Sequence, residues 1–201
     1  MCRSIIYSSI LIMLVSASCS TTFEAVSTPT AVPSSTPEKI ELINGEMDAC
    51  LLIHSTEVET VLGIKVTSAN TFLDSVPSCK YISIADDRVV LLTRVTTDAT
   101  IKRANQPWLK NEDQFYSAVE VYEMRKMAEL RLHKALSESY KVEDIDSIGD
   151  QAFFTDKQIY LALEVLENEI FYEFVAYPID NGGIDYDAFI ELAKIALQRM
   201  P

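Results

Sequence analysis

Two runs of alternating residues near the C-terminal end most constrain the fold of this chain. In the first run, every second residue is aliphatic, at positions 159, 161, 163 and 165. In the second run, residues 171, 173, 175 and 177 alternate with the apolar and aromatic residues at positions 170, 172, 174 and 176. Glu167-Asn168-Glu169 lies between them and has the length of a hairpin connection. A period of two is typical of strands, so the sequence predicts an antiparallel hairpin here.

The rest of the chain predicts an α+β fold. A capping box of Thr56 and Glu59 begins a short helix that ends at Gly63. A long helix is predicted from about Asn111 to Ser137, and Asp185 caps a last one. Further strand-like runs cover residues 65–73, 78–85, 88–97 and 140–154. We predict an antiparallel sheet of about five to six strands with helices packed on one face, in an element order compatible with a duplicated helix-plus-three-strand unit.

The long helix carries small and aliphatic residues at three- and four-residue intervals, which places them on one stripe. The stripe consists of Ala118, Val121, Met124, Ala128, Leu132 and Ala135. Such a stripe is typical of core packing, so we assign no cofactor or partner groove to it. Charged residues of the helix, among them Glu129, fall elsewhere and are expected to face solvent.

The first eighteen residues have the pattern of a lipoprotein signal peptide. Arg3 supplies a positive charge, residues 5–15 an apolar run, and residues 16–18 small side chains directly before Cys19. A membrane-spanning helix needs roughly 20 apolar residues, more than this run has. We expect cleavage before Cys19 and acylation of this cysteine, with palmitate among the chains. A plain secretory signal and a retained anchor are the alternatives.

Ser, Thr, Pro, Ala and Val dominate the segment that follows Cys19. Such a segment buries too little apolar surface to become ordered, and its prolines favour extended chain. The sequence therefore predicts a signal peptide over residues 1–18, a disordered tether over 19–46 and a single extracytoplasmic globular domain over 47–201.

Cysteine usage agrees with export. Cys2 leaves with the signal and Cys19 carries the lipid, so Cys50 and Cys79 remain as one pair. In an oxidising compartment they are expected to form a disulfide, worth about 3.6 kcal/mol in the chain-entropy estimate. A two-thiol redox or metal site is the alternative, but the Cys-x-x-Cys spacing is missing.

The acidity of the chain excludes some classes of partner. Its 30 Asp and Glu residues outnumber the 17 Lys and Arg residues, and the formal net charge is −13. Because phosphate backbones and anionic lipid headgroups repel such a chain, we expect neither nucleic-acid binding nor a polybasic membrane patch.

Four short motifs resemble those of a known group of proteins. They are Asp48-Ala-Cys50-Leu-Leu, Glu57-Val-Glu-Thr-Val-Leu-Gly63, Cys79-Lys-Tyr81 and Gly149-Asp150-Gln-Ala152-Phe153-Phe154. In this order they resemble small bacterial envelope lipoproteins with a single extracytoplasmic domain of unknown function. The resemblance implies an extracytoplasmic domain with a Cys50–Cys79 bridge, and it implies no reaction.

No set of residues predicts a catalytic or metal site, and we assign no catalytic residue, metal or cofactor. Glu129 and His133 have ligand-compatible spacing, but no third ligand is identifiable, so a solvated ion pair is preferred. Three aspartates near Gly149 present oxygens suited to calcium, but their spacing is not that of an EF-hand and a turn is preferred. They are Asp144, Asp146 and Asp150.

Aromatic residues are concentrated before the long helix, where Asn105-Gln-Pro-Trp-Leu predicts a loop. Trp108, Phe115 and Tyr116 form our candidate binding surface, because loops on a rigid scaffold carry function and aromatic side chains anchor ligands with little loss of entropy. Core packing is the alternative interpretation of the same residues.

Together these patterns predict a membrane-anchored envelope lipoprotein that binds a small ligand or an envelope protein without catalysis. The N-terminal lipid would hold it at the cell membrane, on the extracytoplasmic side. An envelope hydrolase or other enzyme that uses acidic residues is one alternative, and a purely structural surface protein is another. A pocket with converging carboxylates would favour the enzyme, an apolar cleft ligand binding, and a smooth surface the structural role.

Overall fold

Antiparallel strands form one seven-stranded sheet in the computed structural model, which describes residues 39–136, 140–146, 148–178 and 185–201. The strands are β1 (Val66–Leu73), β2 (Val76–Ser83), β3 (Val89–Thr96), β6 (Lys141–Asp144), β7 (Gln151–Asp156), β8 (Leu161–Glu167) and β9 (Ile170–Ala176). A separate small hairpin joins β4 (Lys110–Asn111) to β5 (Gln114–Phe115). Across the sheet the order is β1-β2-β3-β9-β8-β7-β6. The predicted signal peptide and Cys19 lie outside the described residues.

Four helices cover both faces of the sheet in this part of the chain. They are α1 (Ser55–Leu62), α2 (Asp98–Ala104), α3 (Ala118–Leu136) and α4 (Tyr186–Leu197). Helices α1 and α4 pack on the face that carries Tyr172, and helices α2 and α3 pack on the face that carries Phe171. The predicted α+β class with an antiparallel sheet is confirmed, but the prediction that the helices pack on one face is wrong.

Strand β9 explains why both faces are covered. All of Ile170–Ala176 is buried, and both of its faces carry aromatic side chains. Because each apolar face of a sheet must be removed from water, a strand of this kind requires a layer of helix on either side. Helices α1 and α3, which precede the two halves of the sheet, lie on opposite faces, so within the described residues the two halves do not repeat the helix-plus-three-strand unit with which the element order was compatible.

Two elements differ from the predicted boundaries. The segment from 140 to 154, predicted as one strand, contains both β6 and β7, which raises the strand number above five to six. The long helix begins at Ala118 rather than near Asn111, because residues 107–115 form a 3-10 turn and the β4–β5 hairpin. Helix α2 was not predicted, although Thr97 accepts a hydrogen bond from the Thr100 N–H as its cap.

The predicted core stripe of the long helix is right only in its first turns. The buried residues of α3 are Ala118, Val121, Tyr122 and Glu129. Met124 and Leu132, which were assigned to the stripe, are exposed. The sheet ends at the short and mostly exposed strand β6, so the second half of α3 has little apolar surface beneath it.

Two of the three predicted helix caps are confirmed, and the one at the start of α1 is wrong. There the His54 N–H donates to the Glu57 carboxylate at 2.7 Å, so the predicted capping box of Thr56 and Glu59 is wrong by two residues. Gly63 ends α1 at φ +69° as predicted. Asp185 caps α4 as predicted, accepting from two N–H groups of the first turn.

Cys50 and Cys79 form the predicted disulfide, with their Cα atoms 4.9 Å apart. It joins the 3-10 turn Ala49–Leu51 to strand β2. Contacts with the domain begin before Met47, because the Ile40 N–H donates to the Arg199 carbonyl at 2.8 Å.

Gly149 lies in the turn before β7, and a substitution there tests how tightly this part of the sheet is packed. Its φ is +60°, and an added Cβ would lie 2.5 Å from Val165 Cγ1 and 2.7 Å from the Leu166 carbonyl oxygen. We expect Gly149→Ala to lower the free energy of unfolding by about 3 kcal/mol or more, because left-handed strain and a backbone clash add. Urea titration measures the loss.

Gly63→Ala is the matched control for this prediction. Gly63 has a similar φ of +69°, but nothing lies within 4 Å of its added Cβ. We expect this variant to lose only about 1 kcal/mol, from strain alone. Equal losses in the two variants would contradict the close packing at Gly149.

Candidate functional site

A cavity of about 240 Å³ opens on the face of the sheet that α2 and α3 cover. Its walls are mostly apolar and come from β2, β9, both helices and the 3-10 turn Pro107–Leu109. The apolar wall residues are Val76, Ile101, Leu109, Val121, Met124 and Phe171. Trp108 also lines the cavity and is 56% exposed, so its indole stands at the opening. We call this site the Trp108 cavity.

The floor of the Trp108 cavity is polar. On strand β3, Arg94 Nη1 lies 3.0 Å from Glu173 Oε2 of strand β9, and on helix α3, Arg125 Nη2 lies 3.3 Å from Glu173 Oε1. Each oxygen of the Glu173 carboxylate therefore contacts one guanidinium group. At the rim, Asp74 Oδ2 lies 3.9 Å from Arg94 Nη2, and its side chain is mostly exposed.

Two more carboxylates lie behind Arg125, away from the cavity. Arg125 Nε is 3.3 Å from Glu129 Oε1 and 3.6 Å from Glu164 Oε1. Lys157 Nζ also pairs with Glu129, at 3.1 Å. The side chain of Glu164 has no exposed surface, and neither of its carboxylate oxygens has a hydrogen-bond partner among the described residues.

The protonation of Glu164 follows from this environment. The pKa of Glu164 is raised to about 8, first by burial and then by the nearby Glu173 carboxylate, while Arg125 opposes the increase. Burial alone would lower the pKa of Arg125, but the Glu173, Glu129 and Glu164 carboxylates together raise it. At neutral pH, Arg125 is therefore charged and Glu164 is mostly neutral.

The register of the β8–β9 hairpin places these acids together. A two-residue turn at Asn168 and Glu169, both with positive φ, pairs Glu167 with Ile170 and so sets Glu164 directly opposite Glu173. Two like charges at opposed positions on one face of a sheet destabilise the pair. A neutral Glu164 removes that repulsion.

The three aromatic residues predicted as one binding surface are not brought together. Trp108 lines the cavity, whereas Phe115 and Tyr116 are partly buried and line a separate polar depression beside residues 111–114. Both also pack against the apolar cluster under α2 and α3, and Lys110 Nζ lies 4.4 Å from the centre of the Phe115 ring. The β4–β5 hairpin, which contains Phe115, turns these two residues away from Trp108.

The predicted ion pair between Glu129 and His133 is wrong. Glu129 is buried against Arg125 and Lys157, and His133 instead contacts the Tyr140 carbonyl through Nδ1. Two of the three aspartates considered for calcium have other partners, since Asp150 accepts from the Asn168 N–H at 2.9 Å and Asp144 pairs with Lys126 at 2.7 Å. Among the described residues, no group of three His, Cys, Asp or Glu side chains is arranged to hold a metal ion.

The sequence patterns did not predict the charged floor of the cavity, although the sequence contains a signal for it. Glu164 and Glu173 each have apolar or aromatic neighbours on both sides in the strand, and they lie at equal distances from the hairpin turn. A charge in that position must meet a partner once the strands are buried. Arg94 gives the same signal in strand β3.

In comparisons with protein-family models, with curated protein sequences and with solved structures, none matches this chain.

Replacing Glu164 tests the buried carboxyl through the pH dependence of stability. In the unfolded chain this group has its ordinary pKa of 4.5, whereas in the folded protein the pKa is about 8. Between these values the folded state holds a proton that the unfolded state has lost, so its contribution to the free energy of unfolding falls as pH rises from about 4.5 to 8. We expect Glu164→Gln to remove this fall and to be more stable than the wild type at about pH 9, on the order of a few kcal/mol.

Denaturant titrations at about pH 5.5 and about pH 9 measure the difference. Glu143→Gln is the control, because Glu143 is an exposed partner of Lys141 on edge strand β6 and should keep the wild-type pH dependence. An unchanged pH dependence in Glu164→Gln would show that this carboxyl is ionised in the fold.

Proposed function

We propose that this protein is a membrane-anchored lipoprotein of the cell envelope whose extracytoplasmic domain binds a small ligand in the Trp108 cavity without catalysing a reaction. The signal-like segment that ends at Cys19 supports the anchor. The Cys50–Cys79 disulfide supports an oxidising compartment, because cytosolic proteins keep their thiols reduced. The net charge of −13 argues against nucleic acid as the ligand.

One observation carries the binding proposal, namely the combination of apolar walls, an exposed indole and two fixed guanidinium groups in a single cavity. Small-molecule sites in proteins have this composition, with a mostly apolar lining and a few polar groups that orient the ligand. The rigid Trp108 side chain offers a large contact area and loses little entropy on binding. A purely structural surface protein requires no such cavity.

An envelope hydrolase is the alternative that the carboxylates raise. A general acid or base must come within about 3 Å of the proton that it transfers. Glu164 has a pKa suited to proton transfer, but it is fully buried and does not line the cavity. Glu173 does line the cavity, and both of its oxygens contact arginines. This geometry favours binding over catalysis.

Truncating Trp108 tests whether it serves the cavity rather than the core. We expect Trp108→Ala to lower the free energy of unfolding by about 1 kcal/mol or less, because the side chain is half-exposed. In the wild-type protein, we expect acrylamide to quench the fluorescence of Trp108 readily. Leu109→Ala is the matched control in the same turn. Leu109 is 1% exposed, so its truncation should cost about 2–5 kcal/mol.

A shielded Trp108 whose truncation costs as much as that of Leu109 would identify it as a core residue and remove the binding proposal.

Replacing Cys19 tests the anchor independently of the cavity. We expect Cys19→Ala to abolish acylation, so that the chain is released from membranes or accumulates unprocessed. Membrane fractionation and the intact mass of the processed chain measure both outcomes. Cys2→Ala is the control, because that cysteine leaves with the signal and its loss should change neither quantity. A Cys19→Ala chain that stays in the membrane fraction at the wild-type processed mass would locate the anchor elsewhere.

A further inference from the structure

We infer that the ligand of the Trp108 cavity is a small monoanion, a carboxylate on a compact apolar body, held by Arg94 and Arg125. The inference rests on the proposed ligand-binding function and names the chemical class that this site accepts. It follows from which polar groups of the cavity are already engaged, from the charge around them and from the size of the apolar space.

The unused groups among the charged side chains of the floor are hydrogen-bond donors. Arg125 directs Nη2 to Glu173 and Nε to the carboxylates behind it, which leaves Nη1 without an acceptor among the described residues. Arg94 directs Nη1 to Glu173, and within the described part of the chain the charged group nearest its Nη2 is Asp74 at 3.9 Å, beyond hydrogen-bond distance. Both arginines line the cavity. A ligand head group must therefore accept hydrogen bonds.

The acceptors of the floor are already engaged. Both oxygens of Glu173 face guanidinium groups, so a cationic ligand would have to displace an arginine from a mostly buried carboxylate. The other carboxylate of the lining, Asp74, is 68% exposed, and a pair formed there with a ligand cation would be screened by water. A carboxylate matches the planar donor edges that the two guanidinium groups leave open.

The charge count around the floor favours one negative charge rather than two. Three cations, on Arg94, Arg125 and Lys157, contact two buried anions, on Glu129 and Glu173. Asp74 lies at the exposed rim, and Glu164 lies behind Arg125. When Glu164 is neutral, the buried part of this group has one positive charge in excess. A single carboxylate neutralises it, whereas a dianion such as a phosphate monoester would place extra negative charge near Glu173 and Asp74.

The cavity also limits the size of the ligand. Its volume of about 240 Å³ lies below the range of about 300–1,000 Å³ that is typical for drug-sized ligands. Its apolar walls, together with the indole of Trp108 and the ring of Phe171, suit a compact aromatic or branched body. A long acyl chain would extend beyond these walls.

Three probes with one phenylpropyl body and different head groups test the inference: hydrocinnamate, hydrocinnamyl alcohol and hydrocinnamylamine. The full-length protein is reconstituted in phosphatidylcholine vesicles, and binding is followed by the fluorescence of Trp108, the single tryptophan of the chain. We expect the acid to bind at least about tenfold more tightly than the alcohol and the amine, because only the acid accepts charge-assisted hydrogen bonds from the arginines.

Matched variants assign the effect to the cavity floor. We expect Arg125→Gln to weaken binding of the acid about tenfold, and Lys126→Gln, which removes the same charge from the next residue of α3, to leave it unchanged. Because Arg125→Gln also disturbs buried carboxylates, a second pair is used. Met124→Glu should weaken binding of the acid relative to Met124→Gln, since Met124 lines the cavity without taking part in the ion pairs.

The outcomes separate this inference from the proposed function. If the alcohol or the amine binds as tightly as the acid, the carboxylate inference is overturned and ligand binding in the cavity stands. If none of the three probes binds, the carboxylate inference is again overturned, and the exposure of Trp108 measured against Leu109 decides the proposed function separately. Loss of acid binding in Lys126→Gln as in Arg125→Gln would also overturn the inference.

Discussion

Arg125 on helix α3 contacts three carboxyl groups, and this contact links α3 to strands β8 and β9. The β8–β9 register sets the neutral Glu164 opposite Glu173, and the charge of Glu173 inside the sheet requires a compensating cation. Arg125 supplies it from α3 and at the same time reaches Glu129 on its own helix. Because Glu129 and Glu173 are buried, their charges need a nearby cation, so the contact with Arg125 helps to hold α3 over the sheet.

A buried ionic group of this kind is not the most direct way to stabilise a domain. Apolar residues of similar volume often stabilise as well or better, because they carry no desolvation penalty. The opposite face of the same sheet is stabilised by apolar packing under α1 and α4 and by the Cys50–Cys79 disulfide. The two faces therefore differ in kind. One packs for stability, and the other holds charges in fixed positions beside an open cavity, which is what a binding site requires.

The parts of the fold that were predictable are those that local patterns decide. The β8–β9 hairpin follows from alternation, and the αL position of Gly63 and the cap at Asp185 follow from single residues whose side chains or backbone freedom suit helix ends. The Trp108 cavity was not predictable in the same way. Its lining comes from positions between 74 and 173, which only the packing of α3 on the sheet brings together. Helical periodicity also predicted that Glu129 faces solvent, which is wrong. A charged residue of a helix is buried only where a partner on another element pairs with it, as Lys157 does here.

The neutral form of Glu164 connects the stability of the fold with the proposed ligand. While Glu164 holds its proton, Arg125 is shared between two buried carboxylates, and the group around it keeps one positive charge in excess. An anion in the cavity neutralises that charge. Once Glu164 ionises, the excess is gone and the anion competes with a third carboxylate for the same guanidinium group. Binding of the proton and binding of the anion therefore favour one another, and by reciprocity an anionic ligand in the Trp108 cavity raises the pKa of Glu164 further.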